Sequence, residues 1–331
     1  MRMKTMTKTF FALGTVNKIS ISYREADEGK VMQAADLVKQ MTESMDDRLS
    51  VFKAASEMSA LNAQAGRGDV RISPDTLKIL QASKEWSEIT EGAFDITTQP
   101  LTKLWSIGES SRIPSPHEIR KAKKLIGYED LVISGAGNGN GFGTAGLRRK
   151  GQSVDLGAIA KGHAADLAHD ILSEHGIDEA IINFGGTVII SGRPKSIGIQ
   201  DPGAPVGTPM GSITASNTAV VTSGSYEKYF IKDGRRYHHL IDPRTGEPAE
   251  SGLASVTLIG PSAMELDALT TAVFVLGIQK GFSLVRERGL EGVFITDQGD
   301  VFLTDGIRGR FSFSDGRRVT DIRKQPQTAG A

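Results

Sequence analysis

The sequence contains no cysteine in 331 residues. That absence excludes disulfide frameworks, thiol nucleophiles, thiolate metal sites and lipid-modified cysteine, and leaves the chemistry to oxygen and imidazole groups. An excess of one charge is also lacking. With 39 basic residues against 39 acidic ones, no overall field exists to hold a polyanion or a membrane surface. Nucleic-acid partners are therefore not expected, and any anion site must be local. No apolar run approaches the roughly 20 residues that span a bilayer, so no membrane insertion is expected. At the start, MRMKTMTKTFFALGT is basic, but its apolar run from Phe10 to Leu13 is shorter than the roughly 7 to 15 residues of a signal h-region. The expected location is the cytoplasm.

What is present reads as one large domain, residues 1–331, with any division into two lobes falling near 134–152. Residues 9–23, rich in β-branched and aromatic side chains, predict a first strand. A helix follows to about Asp47, with Ala34, Leu37, Val38, Met41 and Met45 on one face. Ser73 and Pro74 mark another helix start. Beyond a glycine-rich break at 134–146, a helix is expected over 162–175. Strands are expected at 179–184, 187–191, 196–200, 211–222, 227–232 and 235–241, with Asp233 and Gly234 turning the last pair. Ser262 and Glu265 form a capping box for a helix that Gly277 closes, and a hairpin at 292–304 follows. Strands outnumber helices without regular alternation. The fold class is therefore α+β, with mixed, mainly antiparallel sheets and flanking helices. Residues 305–331 read as a basic, partly flexible tail holding Arg308, Arg310, Arg317, Arg318, Arg323 and Lys324.

Gly141, Gly143 and Gly146 in GFGTAG match the dinucleotide fingerprint GxGxxG. That motif needs a buried strand before it and a helix after it, so that a helix N-terminus faces the pyrophosphate. Here a Gly and Asn run precedes it and LRRKG follows, so the segment reads as a turn or hairpin connection.

Three other segments could carry chemistry. SVDLGAIAKGHAADLA at 153–168 packs an acid, small residues and a lysine into a strand-to-helix turn. Gly157, Ala158 and Gly162 would give a ligand access to backbone, with Asp155 a carboxylate and Lys161 a charge for phosphate. The plain alternative is a capped helix with a surface lysine. In MELDALTTAVFVLG at 264–277, Asp267 and Thr271 share a helix face, with Thr270 beside them. A carboxylate and hydroxyls in an apolar stretch suit magnesium, which keeps few protein ligands and completes its shell with water and phosphate. They equally suit ordinary helix-end bonding. In YHHLIDPRTGEP at 237–248, strand alternation sends His238 and His239 to opposite faces, so only one can line a cleft. GAFD places Phe94 and Asp95 after a helix, and NFGG ends a strand in two glycines. Both look like cleft edges, Phe94 with Asp95 able to hold a planar ring and its polar edge, although Phe94 serves equally as core.

In order, GAFD, SVDLGAIAKG, NFGG, SIGIQDP, VVTSGSYEKYF, HLIDPRTG and DALTTAVFVLG resemble the FAD:protein FMN transferase (ApbE) family over residues 10–304. The resemblance implies two lobes around a FAD-binding cleft, FAD as substrate, Mg2+, and a phosphoester product on Thr or Ser of an acceptor protein. It places the metal on the Ala158 carbonyl, Asp267 and Thr271, with Thr270 alongside. It places FAD contacts on Leu13, Phe52, Ala93, Phe94, Asp95, Asp155, Lys161 and Ile241, and the active-site histidine on His239; the catalytic pair is then His239 and Asp267. Three positions depart from the family pattern: Leu13 replaces a common Met, Phe52 a common Tyr, and Thr187 a usual Asp or Asn. Two rivals use the same residues differently. A magnesium-dependent FAD pyrophosphatase would give free FMN and AMP, and a non-catalytic FAD-binding protein would need no metal.

Overall fold

The computed structural model describes residues 3–135, 141–314, 316 and 320. The chain opens with strands β1 (Met3–Ala12) and β2 (Thr15–Arg24), then helices α1 (Glu28–Leu49) and α2 (Glu57–Ala63). Strand β3 (Val70–Ile72) precedes α3 (Pro74–Ile89), α4 (Gln99–Trp105) and α5 (Pro116–Lys123). Strands β4 (Leu131–Ser134) and β5 (Gly143–Leu147) lead to α6 (Ala160–Glu174). Seven strands follow: β6 (Ala180–Phe184), β7 (Thr187–Ser191), β8 (Lys195–Gln200), β9 (Pro209–Ala215), β10 (Thr218–Gly224), β11 (Tyr229–Lys232) and β12 (Arg235–His238). The last elements are β13 (Leu253–Gly260), α7 (Ala263–Glu287), β14 (Glu291–Thr296), β15 (Val301–Leu303) and β16 (Phe311–Phe313).

An eight-stranded sheet in the order β1-β2-β6-β7-β10-β13-β14-β15 forms the centre, and every neighbouring pair in it is antiparallel. The α+β class with antiparallel sheets is thus what the chain forms. Helices α1, α6 and α7 cover one face of the sheet through a large core that includes Val38, Ala164 and Phe274. The sheet β16-β9-β8 covers part of the other face through Ile213, Val220, Ile295 and Phe311. Alternation explains the division: Ala219 and Val221 of β10 face the helices, whereas Val220 faces the small sheet.

Four expectations change. Residues 9–23 are not one strand but the end of β1 and most of β2, joined by Leu13 and Gly14, both at positive φ (53° and 71°). That is the two-residue turn whose twist suits a hairpin, made without the usual Asn-Gly pair. Residues 211–222 divide at Asn217 (φ 49°) into β9 and β10, which belong to different sheets. Residues 305–314 are not tail. Ile307 and Phe311 are buried, and β16 pairs with β9, because these apolar side chains close the second core. Arg317, Arg318, Arg323 and Lys324 lie outside the described residues. Finally, α7 has the length and apolar composition of a membrane-crossing helix, with a mean hydropathy of 1.5 in its most apolar window. It is the core helix against the central sheet, and Gly277 (φ 78°, ψ 175°) breaks it where the first helix was expected to end.

The glycine-rich break joins β4 to β5, which pair with each other, and one core includes Leu131, Leu147 and Ala164 from either side of it. Residues 136–140 of the break lie outside the described residues. Gly143 and Gly146 sit within β5, in the middle of a three-stranded sheet with β3 and β4. A Cβ at Gly146 would stand 2.0 Å from an Asp69 carboxylate oxygen, so close packing accounts for that glycine without a dinucleotide.

Candidate active site

Helices α6 and α7 meet at Gly162, where a Cβ would lie 2.3 Å from the Ala263 carbonyl oxygen. The sequence-level reading of Gly162 as ligand access is therefore replaced: its smallness lets two helices touch. At that crossing each helix caps the other. Asp166 of α6 accepts the Ala263 and Met264 N–H groups and the Ser262 hydroxyl, satisfying donors that an α-helix start leaves free. In return, Asp267 of α7 accepts the Gly162 N–H at 3.0 Å. Burial raises the Asp166 carboxyl above its ordinary range against these hydrogen bonds, which lower it.

This exchange has a chemical result. In a regular helix the Gly162 N–H would return to the Ala158 carbonyl four residues back. Because it goes to Asp267, the Ala158 carbonyl is left without a helical partner. Lys161 completes the group: its ammonium lies 3.3 Å from both Asp267 oxygens and 2.6 Å from the Gly157 carbonyl. Asp267 is only 4% exposed, and a carboxylate that buried needs positive charge beside it. The plain alternative of a surface lysine does not hold, since the Lys161 side chain is 21% exposed and paired. Thr271 is half-buried and bonds the Asp267 carbonyl only at 3.5 Å, so its oxygen is nearly free. Thr270 differs. Its hydroxyl donates to the Asp267 carbonyl at 3.0 Å and accepts from Ser223 at 2.9 Å, fastening α7 to β10.

An oxygen-only donor set, a buried carboxylate already holding a cationic group and a freed carbonyl fit a hard divalent cation that keeps part of its water. No group of three or more His, Asp or Glu side chains that could hold a metal occurs among the described residues.

The turns that frame this group stand along one end of the central sheet. Register places the β1–β2 turn, the β6–β7 turn at Gly185–Gly186 and the end of β10 side by side. The glycines of NFGG are required here. Both have positive φ, and a Cβ on Gly185 would meet the Thr15 hydroxyl at 2.4 Å. Thr187, where the family usually has Asp or Asn, is fully buried and its hydroxyl has no partner. After β10 comes Glu227, a residue that sequence reasoning did not single out. Nearby protein raises its carboxyl above the ordinary range, although the residue as a whole is exposed. Lys161 lowers it and Asp267 raises it, so all three share one electrostatic environment.

The strand expected over 235–241 ends at His238, so His239 lies just beyond β12 and the two histidines have different surroundings. His238 is buried, bonds the Ala249 carbonyl at 3.1 Å and meets Phe274 edge to face. His239 turns toward the site and has Nδ1 3.3 Å from the Lys228 carbonyl. Its pKa is pushed down to about 4, chiefly by burial, with the Lys228 carbonyl raising it and the charges of Lys228 and Lys161 adding to the lowering. The imidazole is thus neutral at pH 7. Donation from Nδ1 leaves the Nε2 lone pair available to accept a proton.

The other residues of the expected FAD contacts lie in varied surroundings. Asp155 accepts the Gly157 N–H at 2.7 Å, while its own N–H reaches the Ile96 carbonyl at 2.9 Å, joining the α6 entry to segment 93–98. Phe94 and Asp95 do not present a ring and a carboxylate to the cleft. Phe94 is core at 2% exposure, as is Ala93, and Asp95 caps the following turn by accepting the Thr97 N–H and hydroxyl, both at 2.7 Å. Burial raises Asp95 to about 6. Leu13 donates its N–H to Asp46 at 3.1 Å, and Asp46 also holds Lys53, next to Phe52. Phe52 is 87% exposed, an aromatic face with nothing packed on it. Ile241 is 7% exposed and belongs to a satellite core with Trp105 and Tyr237. A separate open groove of about 680 Å³ lies where α7 breaks, lined by Arg244, Gly277 and Lys280 but by none of Lys161, Glu227, His239 or Asp267.

Fold and site together define an α+β protein in which two helices cap one another around a buried, oxygen-rich cluster. The ApbE family model matches residues 13–294, and the chain belongs to that family. A protein of Klebsiella pneumoniae (strain 342) named FAD:protein FMN transferase is 36% identical over 290 residues, covering 87% of this chain and 90% of the relative. One of the same name from Treponema pallidum (strain Nichols) is 31% identical, covering 97% and 92%. Among solved structures, the ApbE protein of Thermotoga maritima superposes with a TM-score of 0.81 at 30% identity, covering 92% of this chain and 98% of that one. The flavin transferase ApbE of Vibrio cholerae gives 0.79 at 25% identity, covering 93% and 100%.

Proposed function

We propose that this chain is a FAD:protein FMN transferase, cleaving FAD and attaching its FMN half to a Thr or Ser hydroxyl of a target protein. The observation that carries the reading is the set of Asp267, Lys161 and the freed Ala158 carbonyl, in a chain of the ApbE family. The acceptor oxygen forms a bond to the FMN-side phosphorus, the bond from that phosphorus to the AMP oxygen breaks, and the hydroxyl proton passes to a base. In such phosphoryl chemistry, alignment and neutralisation of charge are the main demands on the protein.

Ala158, Asp267 and Thr271 would hold Mg2+, which when bound supplies positive charge against the diphosphate. Lys161 adds a point charge for the same diphosphate. His239, neutral and with Nε2 open, takes the hydroxyl proton. Phe52 offers a face to the flavin ring, and the Leu13 turn sits beside it through Asp46.

The test incubates the protein with FAD, Mg2+ and acceptor proteins, then measures AMP, free FMN and flavin fluorescence on a denaturing gel. AMP with protein-bound flavin is expected. AMP with free FMN alone would make the chain a FAD pyrophosphatase, and FAD binding without AMP would make it a flavin-binding protein. Asp267→Ala is expected to abolish AMP release at saturating FAD; full release would remove the proposed cation site.

A further inference from the structure

Lys161 stands where a cation bound through Asp267 would need to be. Its ammonium is 3.3 Å from each carboxylate oxygen, so a divalent ion arriving at that carboxylate meets a positive group already there. Two cations on one buried carboxylate repel strongly in a site of low dielectric. The lysine must leave, and its four-carbon stem lets the ammonium turn toward another anion.

Glu227 meets the requirements for that second anion. It lies on the turn between β10 and β11, facing Gly186, where a Cβ would stand 3.9 Å from its carboxylate oxygen. Its carboxylate makes no side-chain hydrogen bond or ion pair among the described residues, while its turn, closed by the Glu227 N–H on the Gly224 carbonyl, follows Ser223, which bonds Thr270 of α7 at 2.9 Å; Lys161 and Asp267 both act on its charge. Asp267, Lys161 and Glu227 together leave one negative charge uncompensated. A divalent ion at Asp267 reverses that balance and makes an unpaired ammonium costly.

We propose that Glu227 is a positioning residue that receives Lys161 when a divalent cation takes Asp267, so that one ammonium passes between the two carboxylates. The inference rests on the magnesium reading above. It gives Lys161 two stations. On Asp267 it stabilises the metal-free site; on Glu227 it stands beside the cation, available to the diphosphate.

Mg2+ binding measured by titration calorimetry without FAD tests this on the full chain, on Glu227→Gln, on Lys161→Met and on the double variant. Lys161→Met is expected to tighten Mg2+ binding, because no ammonium then competes. Glu227→Gln is expected to weaken it roughly fivefold or more when Lys161 is present, and less than twofold when residue 161 is Met. Equal weakening in both backgrounds would make Glu227 a simple source of negative potential and overturn the proposal. No weakening with Lys161 present would overturn it too. In either case Mg2+ binding by the unaltered chain leaves the metal reading standing, whereas no binding at all removes both. A crystal structure with Mn2+ gives a second readout: Lys161 within salt-bridge distance of Glu227 supports the transfer, and Lys161 still on Asp267 refutes it.

Discussion

Gly162 is the residue on which the site geometry depends most directly. Any side chain there would strike the Ala263 carbonyl, so the helices would separate and the Gly162 N–H would lose Asp267. Gly162→Ala is therefore expected to lower stability by about 1–3 kcal/mol, as overpacking does. It should also weaken Mg2+ binding, with denaturant titration and calorimetry as the measurements; unchanged values for both would refute the crossing argument. Leu13 tests the opposite case. A bulky residue at φ 53° is strained, and the structure keeps it next to the proposed flavin site. Leu13→Gly is expected to leave folding stability unchanged or raise it by up to about 1 kcal/mol. FAD affinity, read from flavin fluorescence, should fall. Equal FAD affinity would show that the Leu13 side chain has no part in binding.

At the scale of elements, the pair of helices works as one unit because their starts are capped reciprocally. Asp166 supports α7 at three donors, and α7 returns Asp267 to α6. Asp166→Ala should cost about 1–2 kcal/mol, the usual range for a lost N-cap, with more than one donor left unpaired pushing it to the upper end. Since the change also frees the start of α7, it should reduce AMP release without touching substrate. Full activity in a destabilised Asp166→Ala protein would separate capping from the site. Part of this was legible in sequence: Ser262 does accept the Glu265 N–H, and Gly277 does end a helical segment. The partner from α6 was not, because a capping box read from spacing contains only neighbours along the chain.

For the whole molecule, pH dependence follows from groups buried in their neutral forms. His163, His238 and His239 are each held near 4 by burial, against an ordinary 6.5. The unfolded chain therefore binds more protons than the folded one in that interval. Stability contributed by these residues is present above about pH 6.5 and is lost as pH falls toward 4. Asp95 acts in the opposite sense. Raised from 3.8 to about 6, it contributes stability at low pH that is lost as pH rises through that range. Asp166 and Glu227, also raised by burial, act in the same sense as Asp95, so these carboxyls oppose the histidines and the prediction is made for a single histidine. His163→Leu should reduce the slope of unfolding free energy between pH 4.5 and 6 by up to about 1.4 kcal/mol per pH unit, one proton's worth. An unchanged slope would mean that His163 titrates normally in the folded protein.

Periodicity and turn chemistry determined most elements of this protein by themselves, because apolar alternation, helix spacing and glycine conformations are local properties of the chain. The Asp233–Gly234 hairpin, the strands flanking NFGG and the helices carrying Lys161 and Asp267 follow from such signals. The lack of cysteine likewise confined the chemistry to oxygen and imidazole. Only the tertiary structure decided that Phe94 is core rather than a ring platform, and that Gly162 serves a helix crossing. It alone brought Lys161 onto Asp267 and set Glu227 in the field of both. Lys161 and Asp267 are 106 positions apart in the chain, and no periodic signal spans that distance. Their meeting depends on two helices packing on one sheet face, closely enough for a backbone N–H to leave its own helix for the other's carboxylate.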